Sequence, residues 1–314
     1  MERSVMSNMA ILTDSSCTLP SKVLERYRIK RVPITINIDG SSMADPCDDL
    51  ETLEIFKSGK LKRHHQVSTE APTVASFEDE ISQAIDSGSR NIIVQTVNRM
   101  QGETYNNANA AASNIRRKLQ QKSKDISIRV MDSRTVFAGQ GLLISETIRR
   151  MLAENNQAEV RRNMDKLSSK IHTYVLPREP LTALERAQKR NEKAVGWAQV
   201  FIANSLGIHP ILCIVNDSSY VAAKPFGFEK SAQQIFKHAQ KKIAKGLLSP
   251  LVTITYGGPL SELKQLPGYA ELVACAKQHN VQVIPSVMSI AGGIYTSVGS
   301  LSLAIACEGD GWEG

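Results

Sequence analysis

Two apolar runs of this chain end in the same dipeptide, Asp14-Ser15 and Asp132-Ser133. The first run, Met9-Ala10-Ile11-Leu12, opens into Thr13-Asp14-Ser15-Ser16-Cys17-Thr18-Leu19-Pro20. A third run, residues 91–98, closes on Thr96, Val97 and Asn98 and is followed by Gln101-Gly102-Glu103-Thr104-Tyr105. Hydroxyl and amide donors beside helix N-termini suit a carboxylate or a phosphate, because free N–H groups and the helix dipole both favour negative charge. The same residue types also cap helices and fix turns, and the spacing leaves both roles open. Asp14 and Asp132 could act as paired carboxylates, although fixing turn backbones is the simpler account of them.

Other chemistries lack their residues. There is no G-x-S-x-G elbow and no Walker-type loop, and Gly139-Gln140-Gly141 lacks the third glycine of a dinucleotide loop. The cysteines at 17, 47, 213, 275 and 307 form no C-x-x-C pair, and the histidines lack ligand spacing. No disulfide framework, metal or cofactor is therefore expected. The net charge of +7 is spread over Arg116-Arg117-Lys118, Arg149-Arg150, Arg161-Arg162 and Lys241-Lys242. With aromatics at 5%, these read as solvated helix faces, and no nucleic-acid partner is expected. No window approaches the ~20 apolar residues of a membrane span. The first eight residues lack the apolar core of a signal peptide. A cytoplasmic protein without stable membrane insertion is the expectation.

The polar groups need strands to carry them. Residues 9–12, 91–98 and 126–131 read as buried strands, and 34–40 alternates with period two into an Asp39-Gly40 turn. Helical patterns follow at 77–85, 104–119 and 139–152. Strand–helix alternation implies a mostly parallel sheet with right-handed crossovers. Beyond the polar stretch 153–157, residues 172–176, 252–256 and 281–284 read as strands. Residues 211–215 and 220–223 read as a hairpin around a four-residue turn, and helical stretches run to 206, over 231–246 and through 276. The fold class is α/β, with two α/β domains at 1–155 and 156–314.

In motif order the chain resembles the DegV family of bacterial fatty-acid-binding proteins. The Asp-Ser-hydroxyl turn ending in Leu-Pro stands at residues 14–20. The family's Thr-Ser-x-Pro segment is matched loosely by Val67-Ser68-Thr69-Glu70-Ala71-Pro72-Thr73. Its Ser-Ser-x-Leu-Ser-Gly-Thr-Tyr segment falls on residues 98–105, and its Asp-Ser…Gly-x-Gly stretch on residues 132–142. Leu206-Gly207-Ile208-His209-Pro210-Ile211-Leu212 and Ser297-Val298-Gly299-Ser300-Leu301-Ser302-Leu303-Ala304 resemble two later family segments.

The resemblance implies two α/β domains with a fatty acid in a tunnel at their interface. It also implies a separate kinase subunit that phosphorylates the acyl group, while the binder itself is not an enzyme. The head-group donors it implies are Ser68, Thr69 and Asn98, with Tyr295 as a further hydroxyl and Ser15 as support. Ser16, Thr96, Arg190 and Lys193 are secondary candidates. The departures bear on the partner. The family's Gly-Gly-Arg falls on Glu192-Lys193-Ala194, and a family histidine falls on Tyr295. Both cationic head-group residues are thus replaced, which favours binding over kinase partnership; Arg190 or Lys193 would have to compensate. The alternatives are an enzyme acting on a small anion through Asp14, Asp132 and Tyr295, or a regulatory protein with an altered pocket.

Overall fold

The structure is a computed structural model and describes residues 8–121, 125–153, 157–189, 207–309 and 311–314. Arg190, Glu192, Lys193 and Ala194 lie outside the described residues, as do 1–7, most of the polar stretch 153–157 and the helical stretch that leads to 206.

The first half runs β1 (Met9–Asp14), α1 (Ser21–Arg26), β2 (Lys30–Val32), β3 (Thr35–Ile38), β4 (Ser41–Ala44), α2 (Asp49–Lys57), β5 (Val67–Glu70) and α3 (Val74–Asp86). It continues with β6 (Asn91–Thr96), a 3-10 turn (Arg99–Gln101), α4 (Thr104–Gln120), β7 (Ser127–Asp132) and α5 (Ala138–Ala153). Strands β2-β1-β6-β7 form one wholly parallel sheet. Ile11 and Leu12 point to opposite faces, yet neither is exposed. Ile11 packs with Leu142 and Ile148 of α5, while Leu12 packs with Phe77 of α3 and Ala108 of α4. Burial on both faces is why the strand reads as a continuous apolar run. The connection from β1 leads to β2 on one side and β6 lies on the other, so the strand order reverses between β1 and β6. Ligands of open α/β sheets bind at the carboxyl ends of such a switch point.

Strands β4-β3-β5 form a small antiparallel sheet inserted between β2 and β6. Asp39 and Gly40, at φ 50° and 83°, make the two-residue turn that matches strand twist in a hairpin.

The second half runs α6 (Gln157–Ser168), β8 (Ile171–Leu176), α7 (Pro180–Lys189), β9 (Ile211–Val215), β10 (Ser218–Ala223), α8 (Phe228–Lys245) and β11 (Leu251–Tyr256). It ends with α9 (Leu260–Leu263), α10 (Tyr269–Gln278), β12 (Gln282–Val287), α11 (Ile290–Thr296) and β13 (Leu301–Ala306). Its sheet, β10-β9-β8-β13-β11-β12, is antiparallel except for the β11–β12 pair. Two expectations need correction. The 211–223 hairpin turns on Asn216 and Asp217 alone, both at positive φ, because Ser218 and Ser219 belong to a polar edge strand. The helix through 276 is two helices, parted at Gly268 with φ 91°.

Helix α5 joins the halves. It is buried nearly all round and packs with Ile171, Ala304 and Ala306 of the second sheet as well as with Met9 and Ile11 of the first. Its glycines serve this packing. A Cβ on Gly141 would stand 2.6 Å from the Thr18 carbonyl oxygen, and one on Gly139 would run into the Thr135 and Thr173 hydroxyls. The small sheet and α2 join the halves again, through Ile36, the preceding Ile34 and Phe56 packed with Val287, Ile290 and Ile294. No helix among the described residues is long and apolar enough to cross a membrane.

Candidate functional site

The three polar strand ends lie side by side, because β1, β6 and β7 are neighbours in one parallel sheet. Their side chains bond mostly to backbone N–H groups of the turns around them. Asp14 is fully buried. Its Oδ2 accepts from Val97 N at 2.7 Å and from Gln140 Nε2 at 3.0 Å, and its Oδ1 accepts from Ser16 N at 3.1 Å and from Ser16 Oγ. Burial pushes the Asp14 carboxyl above the usual carboxylate range, and these hydrogen bonds oppose the shift. One carboxylate therefore ties the end of β1 to the end of β6 and to α5.

Ser15 Oγ accepts from Ile34 N at 3.0 Å, fixing the approach to β3. Asp132 Oδ1 accepts from Arg134 N at 2.9 Å and Arg99 N at 3.2 Å; burial also raises its carboxyl. Asn98 Oδ1 accepts from Met100 N at 2.7 Å, and its own N–H donates to Thr135 O at 3.0 Å. Thr96 is buried beneath.

In front of this edge lies a cavity of about 450 Å³ lined from both halves. Its apolar part is formed by Val136, Val175, Ala187 and Leu212, which are a buried cluster, with Phe137 and Ile214 packed against them. Its polar part includes Ser16, Thr69, Gln101, Thr104, Asn107 and Tyr295. The hydroxyls of Thr69 and Tyr295 stand 3.0 Å apart, joining β5 to α11. Among the described lining residues the ionisable carboxyls are Asp14, Glu70 and Glu103, and no Lys, Arg or His lines the cavity.

The sequence-derived candidates therefore separate. Ser16, Thr69 and Tyr295 line the cavity. Ser68 alternates to the exposed outer face of β5, facing Asn37, since successive side chains of a strand point opposite ways. Ser15, Thr96 and Asn98 are buried and stand outside the lining, where Ser15 and Asn98 fix the turns behind it.

One positioning group had no sequence signal. Arg186 of α7 is buried and donates to the carbonyls of Ile294, Leu61 (2.7 Å) and Lys62 (3.1 Å). It ties α7 to α11 beside Tyr295. A helical arginine at an otherwise mixed position does not announce burial. The apolar wall was legible only as core.

Comparison with known proteins agrees with this architecture. Residues 8–308 match the family described as "Uncharacterised protein, DegV family". A DegV domain-containing protein of Xanthomonas axonopodis pv. citri is 29% identical over 306 residues, covering 96% of this chain and 98% of its own. Among solved structures, a stearic acid-binding protein from Eubacterium ventriosum superposes with a TM-score of 0.77 at 19% identity, over 95% of this chain and 98% of that one. The fatty acid binding protein DegV from Bacillus subtilis does so at 0.75 and 18% identity, over 96% of this chain and 100% of that one. At these identities the structural likeness establishes the fold.

Proposed function

This chain belongs to the DegV family, and from that premise we propose that it binds a long-chain fatty acid or a similar apolar carboxylate as a carrier or sensor. The observation that carries the reading is the cavity itself. It has an apolar part built from Val175, Ala187 and Leu212 and a hydroxyl pair, Thr69 and Tyr295, in its polar part. In this reading the acyl chain lies along the apolar wall, in a tunnel between the 1–155 and 156–314 domains. Each buried methylene contributes about 0.8 kcal/mol, so chain length sets affinity. The polar part sets orientation, because hydroxyls and amides donate to a carboxylate.

Thr69 and Tyr295 are the head-group contacts of choice, with Ser16 beside them. Ser15 and Asn98 act as supports of the strand ends rather than as direct donors. Several proteins of similar structure bind fatty acids, one of them stearic acid, which supports the ligand class. Presentation of the acid to a separate kinase subunit, in the cytoplasm, is the further step that the family resemblance implies. The enzyme alternative draws less support, since Asp14 and Asp132 accept from turn amides.

The test is direct. Purified protein is denatured and its organic extract examined by mass spectrometry, and the thermal midpoint is measured with and without stearate. A co-purifying acyl compound, or a rise in midpoint by mass action, is expected. The absence of both an acyl compound in the extract and a midpoint shift with any acid from ten to twenty carbons would overturn the reading.

A further inference from the structure

A second cleft borders the same 99–105 segment, between β7, α6 and the start of α4. Its volume is about 370 Å³, inside the ~300–1,000 Å³ typical of small-molecule sites. Arg99, Arg129, Arg134, Arg161 and Arg162 line it, against only two carboxylates, Asp132 and Asp165, among the described lining residues. Four separate segments supply these guanidiniums: the 3-10 turn, β7, the turn after β7, and α6.

Two of the five are engaged. Arg99 stands 3.5 Å from Asp132 and 3.1 Å from Asp217, and Arg134 stands 3.6 Å from Asp165. The side chains of Arg129, Arg161 and Arg162 have no ion pair or hydrogen bond among the described residues. Ile93 and Met131, on the sheet face that α6 covers, add apolar surface to the lining. Like charges gathered in a concave, partly apolar cleft repel one another and focus a positive potential there. An anion of matching geometry relieves that repulsion, and guanidinium groups pair with phosphate through two parallel hydrogen bonds. The half-buried Tyr105 at the cleft edge adds a ring on which an organic portion can rest. Solvated arginines on a convex helix face would show neither the concavity nor the convergence of four segments.

We propose that this cleft binds a phosphorylated small molecule carrying at least two negative charges, held by Arg129, Arg161 and Arg162. The site stands apart from the lipid reading and survives its failure. Isothermal titration of the full chain with inorganic pyrophosphate, at fixed ionic strength, tests it. Saturable one-to-one binding is expected with a Kd below about 1 mM, weakening as salt rises. The double variant Arg129→Gln/Arg162→Gln should weaken it at least about tenfold while its thermal midpoint stays near that of the parent. If that variant fails to fold, the exposed Arg162→Gln alone should still weaken binding by about threefold or more. Binding that does not saturate, or that neither variant changes, would overturn the proposal. So would sulfate binding as tightly as pyrophosphate. Binding of poly-glutamate without pyrophosphate, lost in the variants, would instead assign the cleft to an acidic protein.

Discussion

Thr69 Oγ1 and Tyr295 OH share a hydrogen bond of 3.0 Å although 226 residues separate them in the chain. The bond joins the small inserted sheet to the helix before the last strand, and it sits on the cavity wall. Each hydroxyl can donate as well as accept, and the two stand together on one wall, so they act as one polar anchor.

Removing either hydroxyl should weaken ligand binding more than folding. For Thr69→Val and Tyr295→Phe, a loss of about 1 kcal/mol in affinity for stearate is expected, or roughly fivefold. Displacement of a fluorescent fatty acid gives the number. Unchanged affinity in both variants would remove this pair from the head-group site.

Ala187 faces the cavity from α7 and is buried in its apolar cluster. Ala187→Phe should fill part of the acyl channel and shift preference toward shorter acids, at about 0.8 kcal/mol for each methylene excluded. A series of saturated acids in a competition assay reads this out. A parallel loss at every chain length would mean that the wall lies elsewhere.

Arg186 should matter to stability far more than its exposed neighbours do. Arg186→Met leaves the Ile294, Leu61 and Lys62 carbonyls without their donor and should lower stability by about 3 kcal/mol. Arg63, which pairs with Glu185 at the surface, should change stability far less on replacement by alanine, because solvent screens the pair. Urea denaturation of the two variants compares them, and equal effects would contradict the assignment.

His238 predicts a pH dependence. Its Nε2 meets the Tyr174 hydroxyl at 2.7 Å, its Nδ1 accepts from Glu313 N at 2.9 Å, and Trp312 stacks on its ring at 4.5 Å. Burial, aided by Lys242, lowers its pKa to about 4; Glu313 opposes this, and His172 and Lys241 add to it. The unfolded chain takes up this proton near pH 6.5 and the folded chain only near 4. The stabilisation is therefore complete above 6.5 and is lost as pH falls from there through 4, a span of about 3 kcal/mol. Histidine NMR should show one ring titrating near 4, with Trp312 fluorescence changing in step. A His238 titration above 6 would refute it.

Local order was largely legible in the chain. Residues 104–119 read as a helix and form one over Thr104–Gln120, because alanines and one apolar stripe recur at helical spacing. Residues 91–98 read as a strand and form Asn91–Thr96. The misreadings lie where polarity and geometry disagree: Ser218 and Ser219 look like turn but pair as strand, and short segments such as β2 and α11 carry too few residues for a period. Convergence was less legible. The choice between Ser68 and Thr69 hangs on strand register, where one residue reverses the face, and only the pairing of Thr69 with Ile36 decides it.

The sequence by itself determined the polar strand ends, the apolar elements behind them and the family likeness, because propensity and periodicity act between near neighbours. Tertiary structure decided what those groups do. It turned Asp14 and Asn98 inward to lock turns, set Thr69 against Tyr295, buried Arg186 behind the wall, and gathered Arg99, Arg129, Arg134, Arg161 and Arg162 into one cleft. Such meetings depend on sheet order and on the packing of α5 between two sheets, and no local pattern in the chain encodes a contact between residues far apart along it.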